Sequence, residues 1–568
     1  MMQRAETRAV CEEGIRRTGG QVLVAALRIN RCRRIFGVPG ESYLSALDAL
    51  HDTGTQIPYV TCRQEGGAAF MACAHADFTG EPGVCFVTRG PGASNACIGL
   101  HAAYQGSTPL ILLVGQIPIA HREREAFQEI DYRRMFAPVA KWTAEIDNCN
   151  RIPEFVNRAY RVAMSGRSGP VVLVLPEDVL REETSCADLP AARATPVAPG
   201  AADMKSVRDL LATAERPLLL LGGSSWTRDG HEAIKSAATM LDLPVAVAFR
   251  RQGLFPNDHA NYVGNLGFGG APVPNDYARA ADLLIVVGAR LDDGTTLKFS
   301  LIAAPTPTCT LVHVHPGPEE LGRLYQADIP IQADPNAFAT ALTHLDLPAS
   351  PSWSAIRRRL RAEFETMMDL PRQPGPVDMA EVMRYLNKRL PANAVVTTGA
   401  GNASDWPNIY YAYRSFRCGL SPICGAMGFG VPAAVAAKLA APERIVVYIG
   451  GDGDFLMNGQ ELATAVQYGA DPVFVIVDNG MYGTIRMHQE YHHPGRVLGT
   501  LLQNPDFATV ARGYGAHGEL VETTQEFAPA FERALGSRKA AVIHVKVGPE
   551  SFGPNLSFAD VRTARDTT

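Results

Sequence analysis

The sequence predicts an α/β protein made of three doubly wound, parallel-sheet domains. Three observations predict it. The chain has 568 residues, and a domain takes roughly 150–200. Short apolar runs alternate with helical periodicity, the pattern of a parallel sheet with crossover helices on its faces. Two stretches interrupt that alternation: residues 190–203, rich in Ala and Pro, and residues 345–376, where Pro-Ala-Ser-Pro precedes a charged helix. Cutting there gives domains at 21–187, 204–345 and 377–550.

Composition narrows the function. Apolar residues make up 46% and charged residues 20%, so an ordinary core is expected. The net charge of −5 argues against a nucleic-acid surface. No apolar run reaches the ~18–20 residues of a membrane helix. Residues 1–20 are charged and lack an apolar segment, so they read as a variable leader and not as a secretory signal. Eleven cysteines include no C-x-x-C pair, which points to reduced thiols and a cytoplasmic protein.

In the first domain, helices are expected at 21–31, 42–50 and 66–74, and strands at 34–41, 59–65, 83–88 and 109–115. Glu65 stands at a strand end before Gly66-Gly67. A helix-terminal charge favoured by the dipole is the plain reading of it. In the second domain, strands are expected at 217–223, 244–249, 281–290 and 309–315. Gly222-Gly223 falls short of a dinucleotide fingerprint, which argues against nicotinamide chemistry. His313 and His315 point the same way along a strand, and no third ligand accompanies them; a buried or edge pair is expected.

The third domain carries the densest signal. A strand at 394–398 leads to the glycine turn 399–402, of a kind that favours anionic oxygens. A buried strand at 445–449 leads to Gly450, Gly451 and Gly453, where backbone can approach a ligand closely. A helix is expected at 458–468, with Leu462, Ala465 and Val466 on one face. A second buried strand, 473–477, ends in Asp478-Asn479-Gly480. Asp452 and Asn479 therefore lie at the carboxyl ends of two strands, the edge at which open α/β sheets bind ligands. A carboxylate and an amide oxygen there suit Mg²⁺. The polar tail, 549–568, is expected to fray or pack on the surface.

Gly451-Asp452-Gly453, followed by Asn479 27 positions after Asp452, resembles the diphosphate-binding motif of thiamine diphosphate enzymes. Arg63-Gln-Glu-Gly-Gly-Ala-Ala69 resembles the segment bearing their catalytic glutamate. Residues 87–95, 115–116, 126–131 and 165–178 resemble the acetolactate synthase-like branch, and the similarity runs over about 21–550. The resemblance implies a pyrimidine-binding, a central and a diphosphate-binding domain. Thiamine diphosphate and Mg²⁺ are the implied cofactors. It implies that Glu65 is catalytic, its semi-buried carboxyl bonding the aminopyrimidine. Asp452, Asn479 and the Met481 carbonyl would hold the metal. Ala400, Gly401, Asn402, Ala403, Gly425, Gly451, Gly453, Asp454 and Gly483 would contact the cofactor, and Met427 would wedge it into shape; a plain core methionine is the alternative there. Gln128 and His488 would handle substrate, with Phe127 near the reacting centre.

Residues 264–270 and 288–290 resemble flavin-contacting segments, so FAD is a third candidate cofactor. The implied activity is decarboxylation of a 2-oxo acid followed by joining to a second carbonyl compound. The alternatives are decarboxylation without ligation and FAD-dependent, pyruvate oxidase-like oxidation. A homodimer or homotetramer is implied, because the family shares each site between chains. Three positions depart from the branch. His488 replaces a tryptophan, Thr484 a methionine and Glu177 a lysine. Imidazole for indole removes a large apolar wall of the second-substrate pocket and adds a titratable group. Glu65 itself argues against a glyoxylate carboligase, where an apolar residue would stand.

Overall fold

The computed structural model describes residues 16–270, 272–347, 351–370, 372–373, 375–551, 553–554 and 561. Most of the expected leader and tail lies outside the described residues. Three six-stranded sheets dominate, and every neighbouring pair of strands in them is parallel. The first contains, in chain order, Ile35–Gly37, Tyr59–Thr61, Gly83–Val87, Leu110–Gln116, Trp142–Glu145 and Pro170–Pro176. The third contains Val395–Thr397, Gly419–Leu420, Val446–Gly451, Val473–Asp478, His517–Val521 and Ala541–Lys546. Numbered along the chain, both sheets have the spatial order 2-1-3-4-6-5. The middle sheet, from Pro217–Leu221 to Ile329–Gln332, has the order 3-2-1-4-5-6.

The central strands are apolar throughout because helices cover both faces. Leu110–Gln116, Pro170–Pro176 and Val473–Asp478 are buried at every residue. The strands without an apolar-run signal, Trp142–Glu145, Tyr262–Asn265, Ile329–Gln332 and Gly419–Leu420, are all edges and have two to four residues. Part of the expected leader belongs to the fold. Arg17–Thr18 pairs antiparallel with Glu183–Thr184, and Thr18 caps the helix Gly19–Ile29 through a capping box with Gln21.

The first and third domains share a core. The helix Glu65–Thr79 packs on Gly430–Ala440, and the Gly and Ala on their facing turns permit close approach. Phe70 meets Phe429 edge-on across this boundary, with ring centroids 5.5 Å apart. Glu461, wholly buried, accepts the N–H groups of Arg63 and Gln64 at 3.0 and 3.1 Å and the Thr464 hydroxyl at 2.6 Å. That carboxylate ties the start of the Glu65 helix to the third domain of the same chain.

Phe70→Ala removes a fully buried ring at this boundary. It is expected to cost about 3–5 kcal/mol, read as a lowered midpoint in denaturant unfolding. A change below about 1 kcal/mol, the level of ordinary surface substitutions, would show that the two domains do not depend on this packing.

Candidate functional site

In the third sheet the chain order reverses between the neighbouring strands Val395–Thr397 and Val446–Gly451. Ligands bind in the crevice outside the carboxyl ends of strands at such a switch point. A cavity of about 250 Å³ opens there. The thirteen third-domain positions named from the sequence for cofactor and metal all line it: Ala400, Gly401, Asn402, Ala403, Gly425, Met427, Gly451, Asp452, Gly453, Asp454, Asn479, Met481 and Gly483. Trp406, Tyr482, Thr484, Ile485 and Ser551 complete much of the wall. Ser551 belongs to the tail expected to fray or pack on the surface. Its carbonyl accepts the Asn479 amide at 3.2 Å, so this stretch closes one side of the cavity.

Local structure here differs from the sequence reading. Gly450 and Gly451 finish the strand, and the helix starts at Asp452, six residues before the expected start. A 3-10 turn at Gly459–Glu461 separates Asp452–Asn458 from Leu462–Gln467. Leu462 and Ala465 are buried, and Val466, one turn on from Leu462, is 36% exposed at the margin of that face. The early helix start turns Asp452 inward. Its Oδ2 accepts the Gly480 N–H at 3.0 Å and the Asn504 amide at 2.5 Å. Burial, with Asp478 adjacent, pushes the Asp452 carboxyl up to about 6.

The donor set fits a hard divalent cation. Asp452 is 2% exposed, and its two donors, the Gly480 N–H and the Asn504 amide, are uncharged. Among the described residues, Asn479 Oδ1 accepts only the Met481 N–H, at 3.2 Å. Residues 480–482 lie antiparallel to 500–502: Leu502 N–H donates to the Gly480 carbonyl and Tyr482 N–H to the Thr500 carbonyl, both at 2.8 Å. This ladder does not use the Met481 carbonyl. All three candidate ligands are oxygens, as Mg²⁺ requires.

Asp454 organises the opposite wall. Its Oδ1 accepts the Ala400 and Gly428 N–H groups, each at 2.9 Å, and Oδ2 accepts the Tyr448 hydroxyl at 2.6 Å. One buried carboxylate thus joins the two glycine turns; burial raises its pKa, and these hydrogen bonds oppose the rise. A Cβ at Gly399 would lie 1.9 Å from Asp454 Oδ1, so glycine is required there. Thr484 makes a second tie. Its Oγ1 accepts the Asn402 N–H at 3.0 Å and donates to Asn402 Oδ1 at 2.7 Å. The N–H groups of Ala400 and Asn402 are therefore taken by Asp454 and Thr484. Met427 is only partly buried and lines the cavity, unlike a core methionine.

The remaining predicted residues lie elsewhere on the chain. Glu65 is the first residue of its helix. Its Oε2 accepts the Asn95 amide at 2.9 Å, and a Cβ at Gly92 would lie 3.3 Å from Oε1. Gln128, at φ 67°, packs against Gly90 two residues away from Gly92, with Phe127 74% exposed beside it. Glu65 and Gln128 thus form one patch of the first domain, and neither lines the cavity. His488 lies on the exposed side of the helix Gly483–His492, stacked on His492 at 6.4 Å. Glu177 faces Arg89 at 3.6 Å.

The flavin-like segments are engaged with protein groups. Arg290 donates to the Gln105 carbonyl at 3.0 Å and faces Glu320 at 3.4 Å. Phe268 packs on Phe249, and a Cβ at Gly269 would meet Asp405 at 2.7 Å. His313 and His315 are buried with rings 6.2 Å apart, on one face as expected. No group of three or more His, Cys, Asp or Glu able to hold a metal occurs among the described residues. Among those residues, no helix is long and apolar enough to cross a membrane.

Two sheets of one topology, a nucleotide-type sheet between them and, at the third sheet's switch point, a cavity that holds a few buried polar groups define a cofactor-dependent α/β enzyme. Comparison with known proteins specifies the class. Family models of thiamine pyrophosphate enzymes match throughout: the N-terminal TPP binding domain over 17–135, the central domain over 204–342 and the C-terminal TPP binding domain over 399–545. The Escherichia coli acetolactate synthase isozyme 2 large subunit is 33% identical over 536 residues, 93% of this chain and 95% of that protein. A probable acetolactate synthase large subunit of Methanocaldococcus jannaschii is 32% identical over 94% of this chain and 93% of its own length. The Corynebacterium glutamicum acetolactate synthase large subunit is 32% identical over 91% of this chain and 85% of its own. The chain belongs to the thiamine diphosphate-dependent enzymes of the acetolactate synthase large-subunit type.

Asp454→Ala should weaken thiamine diphosphate binding at least about 100-fold, because each hydrogen bond to a charged group is worth about 1.5–3 kcal/mol. Quenching of Trp406, in the cavity wall, reports it; unchanged affinity would refute the role given to Asp454. A second expectation concerns pH. Asp452 must be ionised to hold a cation, and its pKa is raised to about 6. Mn²⁺ affinity should therefore fall about tenfold per pH unit below that value and level off above it. An affinity independent of pH between 5 and 7 would contradict this.

Proposed function

We propose that this enzyme decarboxylates a 2-oxo acid with thiamine diphosphate and Mg²⁺ and joins the remaining fragment to a second carbonyl compound. The observation that carries the reading is the convergence of all thirteen third-domain positions on one switch-point cavity. Bound thiamine diphosphate would supply the electron sink for loss of carbon dioxide. Asp452, Asn479 and the Met481 carbonyl would hold the cation against the diphosphate. Asp454 keeps both glycine turns in place, and Met427 projects its flexible side chain into the cavity. Glu65, steadied through Oε2 by Asn95, has Oε1 left to exchange a proton with the cofactor ring. Gln128 and His488 supply polar contacts for substrate. No flavin step is invoked, because Arg290 and the 264–270 segment are committed to protein partners.

The site requires two copies of the chain. Exposed apolar side chains flank both halves: Phe127 and Ile98 near Glu65, and Ile485, Leu498 and Leu501 around the cavity. Clusters of this kind mark interfaces, and a dimer would bring one chain's Glu65 to its partner's cavity. The described cysteines are all unpaired, which suits a cytoplasmic enzyme.

Glu65→Gln should lower decarboxylation by about 10²–10⁴-fold, the contribution of one positioned acid–base group, while thiamine diphosphate still quenches Trp406. The assay offers the enzyme, thiamine diphosphate and Mg²⁺ a panel of 2-oxo acids, with carbon dioxide and ligated products measured separately. Full activity in the variant would remove Glu65 from the mechanism. Carbon dioxide without any ligated product would reduce the activity to simple decarboxylation.

A further inference from the structure

The candidate metal carboxylate does not stand alone. Asp452 follows the strand Val446–Gly451, and Asp478 ends the adjacent strand Val473–Asp478; Gly451 pairs with Val477. Parallel pairing in this register sets two buried carboxylates side by side, and such a pair repels itself. One side chain bridges them. Asn504 Nδ2 donates to Asp452 Oδ2 at 2.5 Å and to Asp478 Oδ1 at 2.7 Å. Gly480 N–H makes the same bridge, at 3.0 and 2.9 Å.

Asp478 is fixed from behind. Its Oδ2 accepts His544 Nε2 and Lys546 Nζ, both at 2.7 Å. The Phe507 N–H points at His544 Nδ1, 3.2 Å away, which places the imidazole hydrogen on Nε2. The side of Asp478 remote from Asp452 therefore carries the cationic partner, and the side between the carboxylates carries an amide.

We propose that Asn504 is a positioning residue for the metal site: its amide bridges Asp452 to the anchored Asp478 and leaves Asp452 Oδ1 as the oxygen for the cation. The residue type follows from the task. Giving each carboxylate a hydrogen of its own takes two hydrogens on one atom, which an amide nitrogen has and a hydroxyl or a backbone N–H lacks. A lysine would also bridge, but its charge would cancel that of Asp452 and compete with the metal. The amide screens the repulsion and adds no charge. Asn504 Oδ1 is buried without a partner among the described residues, so the side chain is oriented by what its nitrogen must do. The segment that delivers it is the strand-like stretch 500–502, held against 480–482. One element thereby sets both Asp452 and the backbone at Met481.

The inference rests on reading Asp452 as a metal ligand, and its test separates the two. Mn²⁺ binding is titrated by the electron paramagnetic resonance of free Mn²⁺, with thiamine diphosphate present, for the wild type, Asn504→Leu and Asp452→Asn. Melting temperature is recorded in parallel. Asn504→Leu is expected to weaken Mn²⁺ at least tenfold, and Asp452→Asn further still. An unchanged Mn²⁺ constant in Asn504→Leu beside a weakened one in Asp452→Asn overturns the role of Asn504 and spares that of Asp452. Unchanged binding in both overturns both. A lowered melting temperature with an unchanged Mn²⁺ constant shows a purely structural residue and also overturns the proposal. Should the leucine variant fail to fold, Asn504→Ala, which adds no bulk, is judged by the same constants.

Discussion

The buried carboxylate of Glu461 decides which surfaces this chain can present. Wholly excluded from solvent, it accepts the N–H groups of Arg63 and Gln64, at the start of the helix that Glu65 opens. Breaking such a group's hydrogen bonds would leave an unpaired buried charge, a cost of about 3–5 kcal/mol. A Cβ at Gly67 would lie 2.6 Å from its Oε1, so the contact also demands glycine. The Glu65 patch is thereby fixed on its own chain's third domain, at residues 459–467, none of which lines the cavity. The Gly/Ala packing of Glu65–Thr79 on Gly430–Ala440 makes that arrangement rigid.

The cavity shows how few groups organise a polar site. Three buried acids divide the labour. Asp454 joins the glycine turns through three donors. Asp452 faces the cavity. Burial alone would raise the pKa of Asp478, but hydrogen bonds from His544, Lys546 and Asn504 outweigh it and hold that carboxyl well below the usual carboxylate range. Asp478 is thus a fixed negative anchor and Asp452 a responsive one. Parallel-strand register explains why these acids adjoin, since neighbouring strands end at the same level of the sheet.

The sequence made the three-domain α/β class legible because buried parallel strands read as continuous apolar runs. Its failures are equally physical. Trp142–Glu145, Ile329–Gln332 and Gly419–Leu420 are short edges with little apolar signal. The helix at Asp452 was hidden because Gly453 and Asp454 are poor helix formers, and tertiary contacts hold them. Gly451-Asp452-Gly453 and Asn479 marked the cavity from sequence alone. Asn504, His544 and Lys546 did not stand out, because each is an ordinary polar residue whose meaning comes from strand register. Thr484 was visible only as a departure; its tie to Asn402 shows what a hydroxyl does in that place. The Asn504-Pro505-Asp506-Phe507 run before the helix Phe507–Gly513 was the one available cue, since Asp506 caps that helix and fixes where Asn504 falls.

The central claim is that a working site takes its cavity from one chain and Glu65 from another. Mixing Glu65→Gln chains with Asp452→Ala chains, after dissociation and reassembly, tests it most directly. Each parent should be inactive. Random pairing makes half of the dimers hybrids with one intact site each, so the mixture should recover about a quarter of wild-type activity. A mixture as inactive as its parents would contradict the claim and place Glu65 and Asp452 in the site of a single chain.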